Sequence, residues 1–257
     1  GRLHQKVETG QHVVSADPAA GEVVTEDGEV RTADLVVGAD GMQSQVREAV
    51  IPGFRPRAMG ITAARGLVAD DGEMALGFAR LAFGRGRGAG RATCGSGVIY
   101  WYISWRDGLE DSVSGAARHF SKDVVDLVAR TSPEHVRLDP LFETPPAPAW
   151  QRGRIALLGD SIHAMAPHAG QGACQALEDA VALGEAVGGR GALGKALESY
   201  EAERRPPSER AVRVSRRNAR VILMRNPLAC FARDFALRLV PKSVMVRGFG
   251  GIQARVS

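Results

Sequence analysis

Only three cysteines occur in 257 residues, Cys94, Cys174 and Cys230, and no two of them form a CxxC pair. That excludes a disulfide-built scaffold and a cysteine zinc site, and it suits a reducing, cytoplasmic setting. Each is read as a small buried side chain. Aromatic residues make up 5% of the chain, too few for the stacking platform that single-stranded nucleic acid requires. No nucleic-acid partner is therefore predicted. No apolar run reaches the roughly 18 residues of a membrane-crossing helix, so no membrane span is expected. Gly1-Arg2-Leu3-His4 carries no secretory signal. No set of histidines and carboxylates has metal-ligand spacing, and no metal is predicted. No internal repeat is visible. The hydrophobic content, 44%, is ordinary for a globular protein and allows one large domain or two small ones.

Acidic residues are scarce only toward the end. From Arg204 onward there are 13 Lys/Arg against 2 Asp/Glu, a balance of +11 within a whole-chain charge of +4. Such a segment suits nucleic acid or an anionic membrane surface, and equally the solvated face of helices against an acidic body.

The stretch Arg154–Val187 holds the strongest pattern. Ile155-Ala156-Leu157-Leu158 has the length and character of a buried strand. It stops at Gly159-Asp160, which places a carboxylate at the strand's C-terminal tip. A loop with Pro167, His168 and Gly170-Gln171-Gly172 follows. From about Ala173 the spacing of Ala176, Leu177, Ala180, Val181 and Leu183 predicts a helix. In open α/β sheets ligands lie beyond the carboxyl ends of strands, and a helix start offers free N–H groups. Upstream, Asp34–Val37 predicts a buried strand that ends in Gly38-Ala39-Asp40-Gly41, and Ser44 can cap a helix reaching about Val50.

Two motifs carry a family resemblance. Gly159-Asp160-Ser161-Ile162-His163-Ala164-Met165, followed by Pro167-His168-Ala169-Gly170-Gln171-Gly172, resembles the second flavin fingerprint of the FAD-dependent aromatic hydroxylases. These are single-component flavoprotein monooxygenases, in the branch of salicylate hydroxylase, urate hydroxylase and zeaxanthin epoxidase. Asp40-Gly41-x-x-Ser44-x-x-Arg47 is similar to the same family's DG fingerprint, and Tyr200-x-x-Glu203-Arg204-Arg205-Pro206 to its structural brace. The resemblance implies FAD as cofactor, NADH or NADPH as co-substrate, and dioxygen adding at flavin C4a before one oxygen passes to a small aromatic or apolar substrate. It assigns Asp160 to the ribitol, and Gly159, Gly170, Gln171 and Gly172 to the ring. Pro167 falls near the ring's reactive edge, and Asp40, Gly41 and Arg47 on the pyrophosphate side. His163 is expected to hold its loop, and His168 is a candidate substrate contact.

The family's third fingerprint, GxGxxG after a first strand, is absent. Gly84–Gly90 is glycine-rich but does not open an apolar helix, and is read as an arginine-rich loop. The resemblance thus implies a monooxygenase in N-terminally truncated form. The other readings are an inactive fragment or subunit of such a flavoprotein, or another flavin oxidoreductase on the same fold. The halogenases' WxWxIP is not present.

Residues 51–150 are read as an inserted, mixed β-sheet substrate domain. Its best strands are Ala63–Val68 and Gly97–Trp105; in the second, Tyr100 and Tyr102 alternate with Trp101 and Ile103. Tyr100, Tyr102 and Arg65 are candidate substrate contacts. Residues 114–130 predict one amphipathic helix, and Pro140–Pro148 a rigid connector. Residues 1–50 and 151–190 are read as a partial Rossmann-like FAD-binding domain with short strands at Leu3–Val7, Val13–Ala16 and Glu22–Thr25. Residues 191–257 are read as C-terminal helices, broken at Pro206-Pro207, with a last one over Leu228–Val240. The fold class expected is α/β (α+β mixed).

Overall fold

The computed structural model of the protein describes residues 7–70, 72, 79–94, 97–189 and 191–239. The expected strand over Leu3–Val7 and the end of the last helix at Val240 lie outside the described residues, Val7 excepted. The architecture is mixed α/β. The chain forms two compact units, one of the described residues up to Arg57 with Phe142–Ser215, the other of Ala58–Leu141 with the described residues from Arg216 on.

The first unit begins with β1 (Val13–Asp17), β2 (Glu22–Thr25) and β3 (Val30–Thr32), an antiparallel meander. The Asp27-Gly28 hairpin signal sits at its second turn, where Asp27 accepts the Thr25 hydroxyl at 2.6 Å. Next come β4 (Val36–Gly38) and α1 (Val46–Val50). The second unit then supplies β5 (Arg57–Ala69), β6 (Ala79–Phe83), β7 (Arg87–Thr93) and β8 (Val98–Arg106). After these follow α2 (Val113–Ala117), α3 (Lys122–Arg130) and β9 (Val136–Glu143). The chain returns to the first unit with β10 (Gln151–Arg152), β11 (Ile155–Leu157), α4 (Asp160–His163) and α5 (Gly172–Gly188). It ends with α6 (Leu193–Ile222) and α7 (Pro227–Leu239).

The pairing that matters most is parallel. β11 lies beside β4 in the register Ile155↔Val36, Ala156↔Val37 and Leu157↔Gly38. Asp40 and Asp160, about 120 residues apart in sequence, therefore leave the same sheet end, each within three residues of the last pair. All three β11 residues are fully buried. They pack with Val46, Val50, Trp150, Leu183, Leu197 and Tyr200 in the first unit's core. The strand expected over Asp34–Val37 is shorter and less buried than its composition suggested. Val37 is 41% exposed, because β4 is the last strand of its three-stranded sheet.

In the second unit five strands run in the order β6-β7-β8-β5-β9. The alternation read in β8 is observed. Ile99, Trp101, Ile103 and Trp105 are buried against Ala116, Ala117 and Leu127, and Trp101 Nε1 donates to Thr131 Oγ1 at 2.8 Å. Two expectations are corrected here. The Gly84–Gly90 stretch is a loop only over Gly84–Gly86, between β6 and β7; from Arg87 it is strand β7. Gly90 is there because a Cβ would stand 2.3 Å from the Tyr102 ring, so strand pairing leaves no room for a side chain. The single helix expected over residues 114–130 is two, since the chain turns at Arg118–Ser121 and restarts at Lys122.

Three further corrections concern prolines and cysteines. α6 is not broken at Pro206-Pro207 but runs for 30 residues through both. The N–H groups the prolines lack are offset by burial on either side, at Leu197, Tyr200 and Arg204 before them and Ser208, Ala211 and Ser215 after. Pro140 lies not in a connector but in β9, an end strand of its sheet, the kind of strand in which proline is tolerated. Of the cysteines only Cys230 is buried; Cys94 and Cys174 are exposed, at the end of β7 and in the first turn of α5.

Gly90→Ala should destabilise the protein by about 1–3 kcal/mol in urea denaturation, because the methyl group must displace Tyr102. A stability equal to the unsubstituted protein would show that the tyrosine ring moves aside at no cost.

Candidate functional site

The two acidic strand tips differ in what their carboxylates do. Asp40 Oδ2 accepts the backbone N–H groups of Gln45 at 2.8 Å and Val46 at 3.1 Å, and so caps α1. Ser44 Oγ accepts the Arg47 N–H at 2.8 Å, as its position predicts. Asp160 is exposed at the start of α4 and meets no hydrogen-bond partner among the described residues. Its carboxylate lies beside Gly172, the first residue of α5: a Cβ there would be 3.9 Å from Asp160 Oδ1.

α5 starts without a side-chain cap. Its first amides therefore point outward with no intrahelical acceptor, at the end of a 17-residue helix dipole. Pro167 opens the turn before it, and the Pro167 carbonyl accepts the Gly170 N–H at 2.9 Å. Gly170 has φ +63° and nothing within 4 Å of a Cβ position. Gly41 likewise faces open space. Gln171 is buried under this loop. From Gly159 to Gly172 there is no lysine or arginine, and Asp160 is the one carboxylate.

Arg47 is not a surface residue. It is 2% exposed, and its guanidinium donates to Ser161 O at 2.8 Å, Met42 O at 2.9 Å and Phe54 O at 3.3 Å. Burial pushes its pKa down from the usual arginine value. It ties the Asp40 loop to the residue after Asp160. Ser161 adds a second tie, donating to Gly38 O at 2.7 Å. A cavity of about 290 Å³ opens beside Met42, Gln45, Arg47, Arg55 and Phe142.

Beneath the loop lies a network that the sequence did not disclose. Asp179, with no exposure, accepts Gly159 N–H at 3.0 Å and His163 Nε2 at 2.5 Å on one oxygen, and Arg204 Nε at 2.9 Å on the other. Arg204 also donates to Gln175 Oε1 at 2.9 Å and pairs with Glu178 at 2.9 Å. Tyr200 OH donates to Leu157 O at 2.9 Å. Burial alone would raise the Asp179 carboxyl, but His163, Gly159 and Arg204 outweigh it and hold the group below the usual carboxylate range. Gly159 itself has φ +62°, and a Cβ there would come within 3.0 Å of Ala176, so only glycine offers Asp179 this amide in this conformation.

Of the apolar residues whose spacing predicts α5, Leu183 alone is buried. Gln175, Asp179, Ala182 and Leu183 point inward, while Leu177 is 69% and Val181 61% exposed. A signal did exist: Gln175, Asp179 and Ala182 stand four and three residues apart, and the brace motif supplies the arginine they need.

His163 holds its loop through Asp179, in the role expected of it. His168 is buried, and burial pushes its pKa down to about 4, so it is neutral near pH 7. In the second unit, Arg65, Tyr100 and Tyr102 share one sheet face. Arg65 and Tyr102 are cross-strand partners, and the two tyrosine rings are 6.5 Å apart. Arg65 pairs with Asp139 at 2.8 Å, with both groups exposed. Burial pushes the Tyr102 hydroxyl up to about 12.

Asp179→Asn should cost about 3–5 kcal/mol in urea denaturation at pH 7, since it removes the buried one of Arg204's two counter-charges and leaves only the half-exposed Glu178. The depressed carboxyl gives stability that is fully present above the unfolded value of about 3.9 and is lost as pH falls below it. The Asn variant should lack that acid loss, and a cost under about 1 kcal/mol would contradict the role given to the pair. For His168 the unfolded chain takes up a proton first. Its contribution is complete above pH 6.5 and declines toward pH 4, by about 3 kcal/mol in all. His168→Gln should flatten the melting temperature over that interval.

Comparison with known proteins places this geometry. The profile of the FAD binding domain family matches residues 3–215. The aurachin C monooxygenase/isomerase of Stigmatella aurantiaca is 30% identical over 222 residues, which is 83% of this chain and 58% of that protein. The chloroplastic zeaxanthin epoxidase of Solanum lycopersicum is 34% identical over 173 residues, 63% of this chain and 26% of that protein. Among solved structures, Klebsiella pneumoniae HpxO complexed with FAD and uric acid superposes with a TM-score of 0.86 at 26% identity, covering 95% of this chain and 66% of that one. The chain spans less than two thirds of each of these relatives. An FAD binding domain match over most of the sequence, on a fold shared with a flavoprotein, makes this chain a member of the FAD binding domain family.

Proposed function

We propose that this chain is part of an FAD- and NAD(P)H-dependent monooxygenase acting on an aromatic or small apolar substrate. The observation that carries the reading is the Asp160 carboxylate, without a protein partner among the described residues, beside the uncapped first turn of α5. The residues fit a flavin. A carboxylate accepts hydrogen bonds from ribitol hydroxyls. Uncapped amides donate to the pyrimidine edge of the ring. The open positions at Gly170 and Gly41 leave room for the cofactor to approach the backbone.

When bound, FAD supplies the redox chemistry, taking electrons from NADH or NADPH and activating dioxygen. The protein's own residues bind and orient. Asp160 holds the ribitol, and Gly159, Gly170, Gln171 and Gly172 shape the ring's seat. Pro167 lines its edge. Asp40 and Gly41 form the turn on the pyrophosphate side, and Arg47 positions that turn through backbone carbonyls. His168, neutral and buried, adds no charge beside the ring. A GxGxxG strand–helix unit, which this sequence does not contain, would complete the pyrophosphate side. The face with Tyr100, Tyr102 and Arg65 is our candidate for substrate contact, two rings and one cation suited to a planar, polar-edged molecule. That HpxO is described with uric acid supports a substrate of this kind.

FAD titration of the purified chain, followed by flavin absorbance and fluorescence, tests the site. Asp160→Ala should weaken FAD about tenfold or more, as expected for loss of a charged hydrogen-bond acceptor. The reading fails if FAD binds equally well to the Ala variant. If the unsubstituted chain ignores FAD, these residues are not sufficient without further sequence.

A further inference from the structure

We propose that α7 is an interfacial helix that seats on the surface of an anionic lipid bilayer. Leu228 is 80%, Phe231 71%, Phe235 55% and Leu239 67% exposed. Steps of three, four and four residues put all four on one helical face. The Phe231 and Phe235 rings stack on each other, 6.4 Å apart and 15° from parallel.

The opposite face of α7 is fixed. Cys230 is buried and donates to Met224 O at 3.2 Å. Arg233, also buried, donates to Ile222 O at 3.0 Å and Val221 O at 3.3 Å at the end of α6, and lies over the Phe83 ring at 5.3 Å. The helix is docked by its back, and its apolar stripe is held outward rather than left to fold in. Four bulky apolar side chains in one exposed row exceed the scattered exposure usual on a soluble surface.

Charge selects the occupant. From Arg216 onward the chain has nine Lys/Arg against one acid, Asp234, and that acid is already paired with Arg233 at 2.8 Å. Arg225 and Arg238 are exposed beside the stripe. Phenylalanine and leucine on one face with cations at the rim is the pattern of a helix lying in a headgroup layer. A second copy of the chain would bring two cationic rims together. A bilayer requires no membrane-crossing helix, and the described residues contain none long and apolar enough.

The test is vesicle co-sedimentation of the full chain with phosphatidylcholine alone and with phosphatidylcholine–phosphatidylglycerol mixtures. Binding should be at least about tenfold stronger to the anionic vesicles, weaken with salt, and disappear in the double variant Phe231→Glu/Phe235→Glu. Arg225→Glu/Arg238→Glu should lose the preference for anionic lipid. The substituted side chains are exposed, so unchanged circular dichroism and urea midpoints verify that both variants fold. Equal binding to neutral vesicles, or no binding, overturns the proposal. So does anionic binding that survives the phenylalanine substitutions and is matched by a single-stranded oligonucleotide, since charge alone then explains it. A dimer by light scattering that the phenylalanine variant abolishes, without vesicle binding, overturns it in favour of a second copy.

Discussion

A carboxylate with no access to solvent holds the first unit's working parts in place. Asp179 receives an amide from the turn that ends β11, a ring nitrogen from the short helix after it, and a guanidinium from α6. An ionised aspartate in such a position is stable only while its donors stay together; remove one and the desolvation penalty of the rest is exposed. Two of the donors belong to the turn after β11, and the third comes from α6, more than 40 residues further along the chain. One buried charge therefore makes the orientation of the Gly159-Asp160 turn, the His163 loop and the long helix a single cooperative property. Tyr200, one turn before Arg204, reaches the last β11 carbonyl and extends the same fixation to the strand.

Above this network the turn shows the reverse character. Gly41 and Gly170 face open space, the Asp160 carboxylate has no protein partner among the described residues, and α5 begins uncapped. A recognition surface needs unspent hydrogen-bonding capacity, and spare capacity costs stability unless the supporting layer is saturated. The Arg47 ties serve that layer too. They carry the parallel pairing of β4 and β11 into the loops beyond it, so that two acidic tips far apart in sequence act as one rim.

Much of this was legible in the residues. Local patterns gave β8, the β2–β3 hairpin, the strand–loop–helix after Arg154 and the start of α6, because each depends on alternation, turn chemistry or short-range periodicity. The motif residues at Asp40 and Asp160 stood out through their spacing. What was not legible depended on partners distant in sequence. Leu177 and Val181 look like a buried stripe by composition, yet they are exposed because Asp179 and Gln175 find Arg204 inside. Pro206 and Pro207 look like a break, yet tertiary packing on both sides carries the helix through. Gly88 and Gly90 look like a loop, but their missing side chains are the space that Ile222 and Tyr102 fill. In each case a local preference was outweighed by a contact that no short window contains.

The electrostatics of the rim fit a ligand whose charge changes. Between Gly159 and Gly172 the sequence supplies no lysine or arginine, and His168 is neutral near pH 7. At the surface of the turn the start of α5 adds a fractional positive charge that favours a nearby anion by about 0.3–1 kcal/mol. A lysine in that place would favour the anionic form more strongly and oppose return to the neutral one. A helix end biases the balance without locking it, which suits the redox cofactor of the proposed function. The strong interactions are accordingly spent below the turn, on holding the backbone still, and the weak ones are left at its surface, where a ring would change charge.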